Sequence, residues 1–553
     1  MKEFFKTLGR RVTGRKGIGN TMTVVIIIAV VMLNVLAYTV TNAFGLYLYS
    51  PTVDDFSISG STDELFADAI SAGKKVTITF CYPEDKLEKH DTGNYVLRTA
   101  REFEAKYPEF IELRFINLLT KMDEYGKIVD LDVYSDVVCS NVVDDQSGRV
   151  CKKTVRYVDV DQDKPKCSYC GADLDLKKDV VHNFSQNSVI FETGEGENFS
   201  YRVLTDKRSS AGFVDFYTLD SNTNVVAYNG EEVMASMISW VLHKNHPIAY
   251  FTQNHGESAE IALTNLLACA GYYVEVINLR KSEIPDDAGM VIISNPTVDF
   301  DMSDPSSETR GEINKLEDYL KGGGKLYAAL DPYVKELPNL EGMLSRWGIT
   351  MSKPDNENKD VFVRNIIKES ANAITPDGYT FVASHADNEV SSAILDKVTK
   401  YGNDRILVSQ VAALELDASK GAMPLLVSGS ASSTYAGGEM TDSAGSYPVA
   451  AYSVRAEEGG KSSTVLVIPT AYITSTDSFL STKYSNKDFL YATFEELFGA
   501  HKSPRGCNQI LYKTKILENL TMGTARIYTA IILAVPAALT VVGIITITRR
   551  KNR

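Results

Sequence analysis

The chain of 553 residues lacks the sequence signatures of the commonest nucleotide-binding and hydrolytic enzymes. The segment GGKS at 459–462 is similar to the end of a phosphate-binding P-loop, but Arg455 occupies the position of the first glycine. The glycines also join two strand-like segments instead of opening a helix. No G-x-S-x-G elbow of a serine hydrolase and no H-E-x-x-H motif of a zinc peptidase occurs. The sequence therefore predicts no ATP site of its own.

Positive charge is scarce outside the two ends of the chain. The formal net charge is −14, and because the tails 1–16 and 549–553 carry +5 and +4, residues 17–548 carry −23. Proteins bind nucleic acid through Lys and Arg, so this acidic balance excludes nucleic acid as a partner. Hydrophobic residues make up 44% of the chain, enough for ordinary packed cores.

Charged residues are absent from two long apolar runs, 21–44 and 527–548. About 20 apolar residues are enough for a helix to cross a bilayer, so both runs are predicted transmembrane helices. The first is too long for the apolar core of a cleavable signal peptide, which is the alternative. The basic tails 1–20 and 549–553 place both termini in the cytoplasm. The part between the two helices is then an extracytoplasmic domain anchored in a bacterial cell membrane.

The first part of this region, 45–240, has the pattern of an α/β domain. The segments Val76–Phe80, Asn94–Tyr107 and Ile111–Ile116 read as strand, helix and strand. A right-handed crossover between two such strands makes them parallel neighbours in one sheet. A loop-rich, cysteine-rich insertion at about 135–185 interrupts the domain.

A second α/β series occupies 245–500. Its predicted elements alternate between strand and helix: Ile248–Phe251, Ser258–Ala270, Tyr273–Ile277, Met290–Ser294 and Lys325–Leu330. This alternation predicts a doubly wound parallel sheet. A mixed β extension follows, with strands such as Pro448–Ala456 and Ser463–Pro469. A helix at Asn486–Phe498 precedes a stalk, 501–526, that returns to the membrane.

The number of cysteines is seven, which rules out a complete set of disulfides within one chain. Four of them, Cys139, Cys151, Cys167 and Cys170, lie in one short segment. The last two, followed by glycine, have the spacing of a zinc knuckle. The spacing of the first two is wrong for a second knuckle, and an extracytoplasmic segment can also form disulfides. Structural zinc held by all four, disulfides and free thiols therefore remain as alternatives, and neither zinc nor disulfides would be catalytic here.

Polar residues follow three of the predicted parallel strands. His255 and Glu257 come after the first, and Asn295 and Asp331 come after two others. Since parallel strands end at the same edge of a sheet, we expect these four residues to converge on a ligand-binding crevice. The group includes acid–base residues but no nucleophile, so the sequence predicts no catalytic residue. Turn chemistry alone accounts for the neighbouring Gly256.

Cys81 directly follows the first strand, where thioredoxin-like enzymes carry a Cys-x-x-Cys pair. The position of the second cysteine is Glu84, so a disulfide-exchange reaction lacks its resolving thiol. The sequence predicts a structural cysteine.

Several of these segments together resemble the GldG-like auxiliary components of ABC transport systems. The carrying segments are YFTQNHGE at 250–257, MVIISNP at 290–296, YLKGGGKL at 319–326, Asp331-Pro332, DSFL at 477–480 and NKDFL at 486–490. The resemblance implies a thioredoxin-like first domain and a second domain similar to class I glutamine amidotransferases without their cysteine nucleophile. This chain departs from the family in the cysteine-rich insertion and in Asn254, where the family tends to have glycine.

The resemblance implies a non-enzymatic auxiliary subunit of an ABC-type exporter. Its partners would be a multi-spanning permease, the cytoplasmic ATPase of that permease, and membrane lipid through the two helices. One alternative is a membrane-anchored extracytoplasmic enzyme, either a thiol oxidoreductase using Cys81 or a hydrolase using His255. Another is a surface binding or sensor protein.

Overall fold

A computed structural model describes residues 56–512 except for 118–134, 145–148, 157–164, 168–169, 177–179, 183–186, 196–197, 205–212, 221–223, 259–260, 303–309, 355–363 and 482. The chain divides into two units, one formed by 52–511 and the other by 1–51 together with 512–553. The two predicted spans and both basic tails lie outside the described residues. Among the residues that are described, no helix has the length and apolar character needed to cross a membrane.

The described elements before residue 245 comprise four helices and eleven strands. The helices are α1 (Gly60–Ser71), α2 (Glu84–Leu87), α3 (Gly93–Lys106) and α4 (Gly230–Leu242). The strands are β1 (Val76–Phe80), β2 (Ile111–Phe115), β3 (Ser135–Val138), β4 (Val142–Asp144), β5 (Arg149–Val150), β6 (Thr154–Arg156), β7 (Val180–His182), β8 (Val189–Thr193), β9 (Ser200–Leu204), β10 (Tyr217–Leu219) and β11 (Val225–Tyr228).

The main sheet of this first domain has the strand order β2-β1-β8-β9. Strands β1 and β2 are parallel, which confirms the predicted strand–helix–strand unit, whereas β8 and β9 are added antiparallel. The connecting helix α3 buries Val96, Ala100 and Phe103, which follow one another at helical spacing. The insertion contributes two further small sheets, β6-β3-β7 and β4-β5.

The described residues of the second series form six α-helices and fourteen strands. The helices are α5 (Ile261–Cys269), α6 (Glu312–Lys321), α7 (Pro338–Arg346), α8 (Glu389–Thr399), α9 (Thr476–Leu480) and α10 (Asn486–Phe498). The strands are β12 (Ile248–Thr252), β13 (Tyr273–Ile277), β14 (Ala288–Ser294), β15 (Lys325–Ala329), β16 (Ile349–Met351), β17 (Ile366–Lys368), β18 (Thr380–His385), β19 (Ile406–Ser409), β20 (Leu414–Leu416), β21 (Ala422–Val427), β22 (Ser432–Ala436), β23 (Glu439–Gly445), β24 (Pro448–Ala456) and β25 (Ser462–Ile468).

Nine of these strands form one sheet, ordered β13-β12-β14-β15-β25-β24-β21-β18-β19. The first five are parallel and the rest antiparallel, which confirms the predicted parallel sheet with a mixed extension. The strand order reverses between β12 and β14, so their carboxyl ends form the topological switch point where such sheets bind ligands. Large apolar cores lie against this sheet. Segment 458–460 is the turn between β24 and β25, as predicted from its glycines.

The start of the predicted stalk returns to the first domain. Strand β26 (Ile510–Leu511) pairs antiparallel with β11, and Tyr228 lies opposite Ile510. The described part of the stalk, 501–512, therefore contributes to the folded unit, and the rest lies outside the described residues.

Candidate functional site

The four clustered cysteines converge on one point. The Sγ atoms of Cys139 and Cys170 are 3.7 Å apart, as are those of Cys151 and Cys167, and all four lie within 4.8 Å of one another. In a tetrahedral site with zinc–sulfur bonds of about 2.3 Å, the sulfur atoms are about 3.8 Å apart. A disulfide bond is only about 2.05 Å long. The arrangement has the dimensions of a tetrahedral metal site, and no disulfide joins any two of these four cysteines.

A short turn presents the Cys167–Cys170 pair. The Gly171 N–H donates to the Cys167 carbonyl at 2.9 Å, and the Cys167 N–H donates to the Ala172 carbonyl at 2.8 Å. Gly171 has a φ of +70°, a conformation that glycine adopts without strain. These features are what a Cys-x-x-Cys-Gly knuckle needs to point two sulfur atoms toward the same point.

The Cys139–Cys151 pair reaches the same point by another route. The hairpin β4-β5 separates the two cysteines and returns the chain, so that the Cys139 N–H donates to the Lys153 carbonyl at 3.0 Å. The Lys152 N–H donates to the Cys139 carbonyl at 2.9 Å. The sequence spacing of Cys139 and Cys151 is wrong for a zinc knuckle, but it allows a hairpin between them, and the two cysteines lie side by side at its base.

The electrostatic environment of the four thiols is uneven. Burial raises the pKa of Cys139 to about 11. For Cys170, burial acts in the same direction, but the Ala172 N–H and the neighbouring thiols outweigh it and lower the pKa to about 7. The side-chain amide of Asn141 also donates to the Cys170 sulfur at 3.7 Å. A divalent cation would supply the positive charge that four converging thiolates require.

A second cluster lies at the carboxyl end of β12. The His255 side chain is fully buried, with Nδ1 3.0 Å from Oε1 of Glu257 and Nε2 2.9 Å from Oε2 of Glu312. The imidazole ring stacks on Phe300, with 3.8 Å between ring centroids. Both carboxylates are almost completely buried.

The two carboxylates keep the His255 ring protonated. Burial opposes the charge, but the hydrogen bonds to Glu257 and Glu312 raise the pKa of His255 to about 9. The imidazolium in turn lowers the pKa of each carboxyl group against the effect of burial. Because both ring nitrogens donate, the ring has no lone pair for a metal and no acceptor for a substrate proton.

Glu312 has no local signal in the sequence. It lies 57 residues after His255, at the start of α6, and only the tertiary fold brings it to the ring. The predicted pair His255 and Glu257 is therefore brought together, but a third residue completes it.

The loops after β12 and β14 are joined to each other. The His255 carbonyl accepts hydrogen bonds from the N–H groups of Thr297 at 2.7 Å and Val298 at 2.9 Å. Gly256 has a φ of +72°, and a Cβ on it would lie 2.0 Å from Oγ1 of Thr297. Glycine is therefore required here for close loop packing, as turn chemistry predicted.

The other two predicted ligand-binding residues, Asn295 and Asp331, differ in their hydrogen bonding. Asn295 is 5% exposed, and neither polar atom of its side chain has a hydrogen-bond partner among the described residues. The Asp331 carboxylate accepts the Tyr333 N–H at 2.9 Å. Within the described chain, no hydrogen bond or ion pair joins Asp331 to His255.

Cys81 is fully buried at the end of β1. Its N–H donates to the Ser188 carbonyl at 3.0 Å. Glu84, at the position of a resolving cysteine, forms an ion pair with Arg101 at 2.8 Å. This thiol is not presented to solvent.

No known protein family matches the sequence, and no curated protein matches it either. Among solved structures, the N-terminal domain of mmIFT52 aligns at 14% identity and a TM-score of 0.33, over 45% of this chain and 97% of that chain. A cytoplasmic protein from Salmonella typhimurium aligns at 10% identity and 0.26, over 46% and 100%. PurLQS from Thermotoga maritima aligns at 8% identity and 0.25, over 45% and 99%. Similarities this distant define no function.

Proposed function

We propose that this protein is a non-enzymatic, membrane-anchored auxiliary subunit of an ABC-type exporter. The proposal rests mainly on the bonding of the strand-end cluster, which consists of His255, Glu257 and Glu312 at the carboxyl end of β12. At the edge of the sheet where a related enzyme would keep its reactive groups, the His255 imidazolium is buried and bound by Glu257 and Glu312. Both ring nitrogens of His255 are bound in this cluster, so the imidazolium has no lone pair with which to act as a general base. Cys81 is buried, so its thiol is not accessible to a substrate for disulfide exchange.

The topology of the two α/β regions supports the resemblance to GldG-like proteins. The order β2-β1-β8-β9, with one parallel and two antiparallel pairings, is compatible with a thioredoxin-like domain. The order β13-β12-β14-β15-β25 is that of flavodoxin-like doubly wound sheets, and it is compatible with an amidotransferase-like domain. In this proposal both domains belong to one extracytoplasmic region.

We infer that the four clustered cysteines hold a structural zinc ion. The inference is supported by the separations between the sulfur atoms and by the knuckle at Cys167–Cys170. Four thiolate ligands complete the coordination of zinc and leave no position for a substrate, so the metal would stabilise the insertion and take no part in a reaction.

The proposed class of protein implies its partner. An auxiliary subunit of an ABC-type exporter without an ATP site of its own would act through the permease and the ATPase that hydrolyses ATP for it. In this proposal the contact runs through the predicted spans 21–44 and 527–548, whose sequences contain small and polar residues of the kind by which membrane helices associate.

Co-purification tests the proposal. The tagged full-length chain, solubilised from its native membrane in mild detergent, should carry with it an ABC permease and its ATPase. A variant whose two spans are replaced by unrelated transmembrane helices is the matched control, and it should lose both partners. If the native chain brings down no ABC component, the transporter proposal is refuted.

Protease accessibility tests the membrane topology separately. Protease added to intact spheroplasts should digest the region between the spans and leave short protected ends. Protection of the whole region would overturn the extracytoplasmic assignment.

A further inference from the structure

Two adjacent glutamates begin helix α4, and both are buried. Glu231 is 4% exposed and Glu232 is 7% exposed. Their position in the first helical turn favours negative charge, because the N-terminal N–H groups and the helix dipole both stabilise it. Neither residue belongs to the cysteine cluster or to the strand-end cluster.

Glu231 binds the segments of chain that lead toward both predicted membrane spans. One carboxylate oxygen, Oε1, accepts the Ser59 N–H at 2.5 Å and the Thr62 hydroxyl at 3.1 Å. The other oxygen, Oε2, accepts the Asn508 N–H at 2.9 Å. One side chain is thus bonded to the segment after the first span and to the segment before the second.

These two membrane-proximal segments also bond directly to each other. The Asn508 side-chain amide donates to the Ser57 carbonyl at 2.8 Å, across 451 positions of sequence. The Arg505 N–H donates to the Ser61 hydroxyl at 3.2 Å. Together with the pairing of β26 and β11, these bonds hold 57–62 and 505–511 side by side.

Glu232 turns toward the second α/β region. Its Oε2 lies 2.7 Å from Nζ of Lys487, and its Oε1 accepts the Tyr491 hydroxyl at 2.8 Å. Both partners belong to α10. The neighbouring glutamate therefore ties the same helical turn to a helix that packs on the nine-stranded sheet.

We propose that Glu231 and Glu232 form a mechanical junction between the membrane-proximal segments and the second α/β region. Glu231 binds 57–62 and 505–511 together, an arrangement called the clasp below. Glu232 connects this clasp to α10. The inference rests on the proposed function for the role of the membrane spans. If an ATPase moves the spans, the displacement reaches the large sheet through this junction, because tightly packed elements transmit strain.

Hydrogen exchange on the full-length protein in detergent tests the junction, with Glu231→Gln as the first variant. A glutamine side chain has one acceptor oxygen and one N–H₂ group, so it cannot accept from both Ser59 and Asn508. We expect exchange to rise by about tenfold or more in both segments, 57–62 and 505–511, while β1 stays protected. The matched control is Glu232→Gln, which should raise exchange at 486–491 and leave the clasped segments protected.

A rise confined to one segment, or no rise at all, would overturn the clasp. If Glu231→Gln also deprotects β1, the variant has lost its fold, and Asn508→Ala decides instead. This variant keeps the N–H that binds Glu231 but loses the bond to Ser57, so exchange at 57–62 should rise severalfold, and unchanged exchange there would refute the proposal. These readouts do not depend on co-purification, so a protein that shows the clasp but brings down no ABC partner refutes only the transporter function.

Discussion

The cysteine cluster and the His255 cluster both bring distant residues to one point. They differ in whether the protein itself supplies a positive charge for the acidic groups that meet there. In the cysteine cluster, four sulfur atoms face one another, and a cation is needed before all four can be thiolates. In the His255 cluster, one imidazolium already lies between two carboxylates. The second cluster therefore already contains a cation, although Oε1 of Glu312 has no hydrogen-bond partner among the described residues, whereas the first would need an added ion to hold four thiolates. Convergence of functional groups therefore favours a metal ion only where no cationic side chain already lies among them.

The strongest test of this contrast is the loss of the metal. Purified protein should contain about one zinc per chain, and Cys167→Ser should remove it. Structural zinc contributes about 10 kcal/mol or more of apparent binding free energy, so the insertion should lose its order and become protease-sensitive. Metal analysis and limited proteolysis measure both effects.

The matched control for the metal site is Cys269→Ser, which changes a cysteine outside the cluster. It should keep its zinc and its resistance to protease. Metal-free wild-type protein with two disulfides mapped among the four clustered cysteines would contradict the zinc assignment.

The next largest effect is expected at the His255 cluster. His255→Ala leaves Glu257 buried without its cation and leaves Glu312 with only the partly exposed Arg280, whose Nε lies 3.7 Å from Oε2. An unpaired buried charge costs about 3–5 kcal/mol. Urea unfolding should show this loss. Asp318→Asn, which weakens the exposed ion pairs of Asp318 with Lys321 and Arg310, should cost less than about 1 kcal/mol. A fully stable His255→Ala variant would show that the cluster is not structural.

The loss of folding stability at high pH, called the alkaline limb here, tests the same comparison. Since folding raises the pKa of His255 from 6.5 to about 9, its contribution is complete below pH 6.5 and is lost as the pH rises through 9. The shift corresponds to roughly 3 kcal/mol. Unfolding midpoints measured between pH 6 and pH 10 should fall accordingly.

His246 provides the control with the opposite sign. Burial lowers its pKa to about 4, so its contribution is complete above pH 6.5 and is lost as the pH falls through 4. The variant His246→Gln should still lose stability as the pH rises through 9, but it should lose less stability than the wild type as the pH falls through 4. An alkaline limb that disappears with His246→Gln would contradict the assignment to His255.

Local patterns in the sequence predicted the fold better than the sites. Strand β14 was evident because a continuous apolar run identifies a buried strand, β1 was evident as a short β-rich run, and helix α3 was evident from its periodicity. The knuckle at Cys167–Cys170 was also evident, because its two sulfur atoms are positioned by adjacent residues.

Long-range partners could not be read from the sequence in the same way. Glu312 reaches His255 only because α6 packs beside the end of β12. The Cys139–Cys151 pair was judged by its spacing, whereas a hairpin determines the actual distance. The clasp at Glu231 joins the two ends of the folded unit, and nothing in either segment alone signals the other.

The smallest expected effect concerns the contact between the cysteine-rich insertion and the second α/β region. Lys153, two residues after Cys151, forms an ion pair with Asp287 at 2.5 Å, and the Tyr250 hydroxyl donates to the same carboxylate at 3.3 Å. Both charged side chains are about one-third exposed, so Asp287→Asn should cost only about 1 kcal/mol. The zinc content should not change, because no metal ligand is altered, whereas proteolysis near 151–156 should become faster. Asp286→Asn, at the adjacent exposed position, should change neither property. If Asp287→Asn released the zinc, the cluster would depend on its docking contact, and the metal could no longer be regarded as what holds the insertion together.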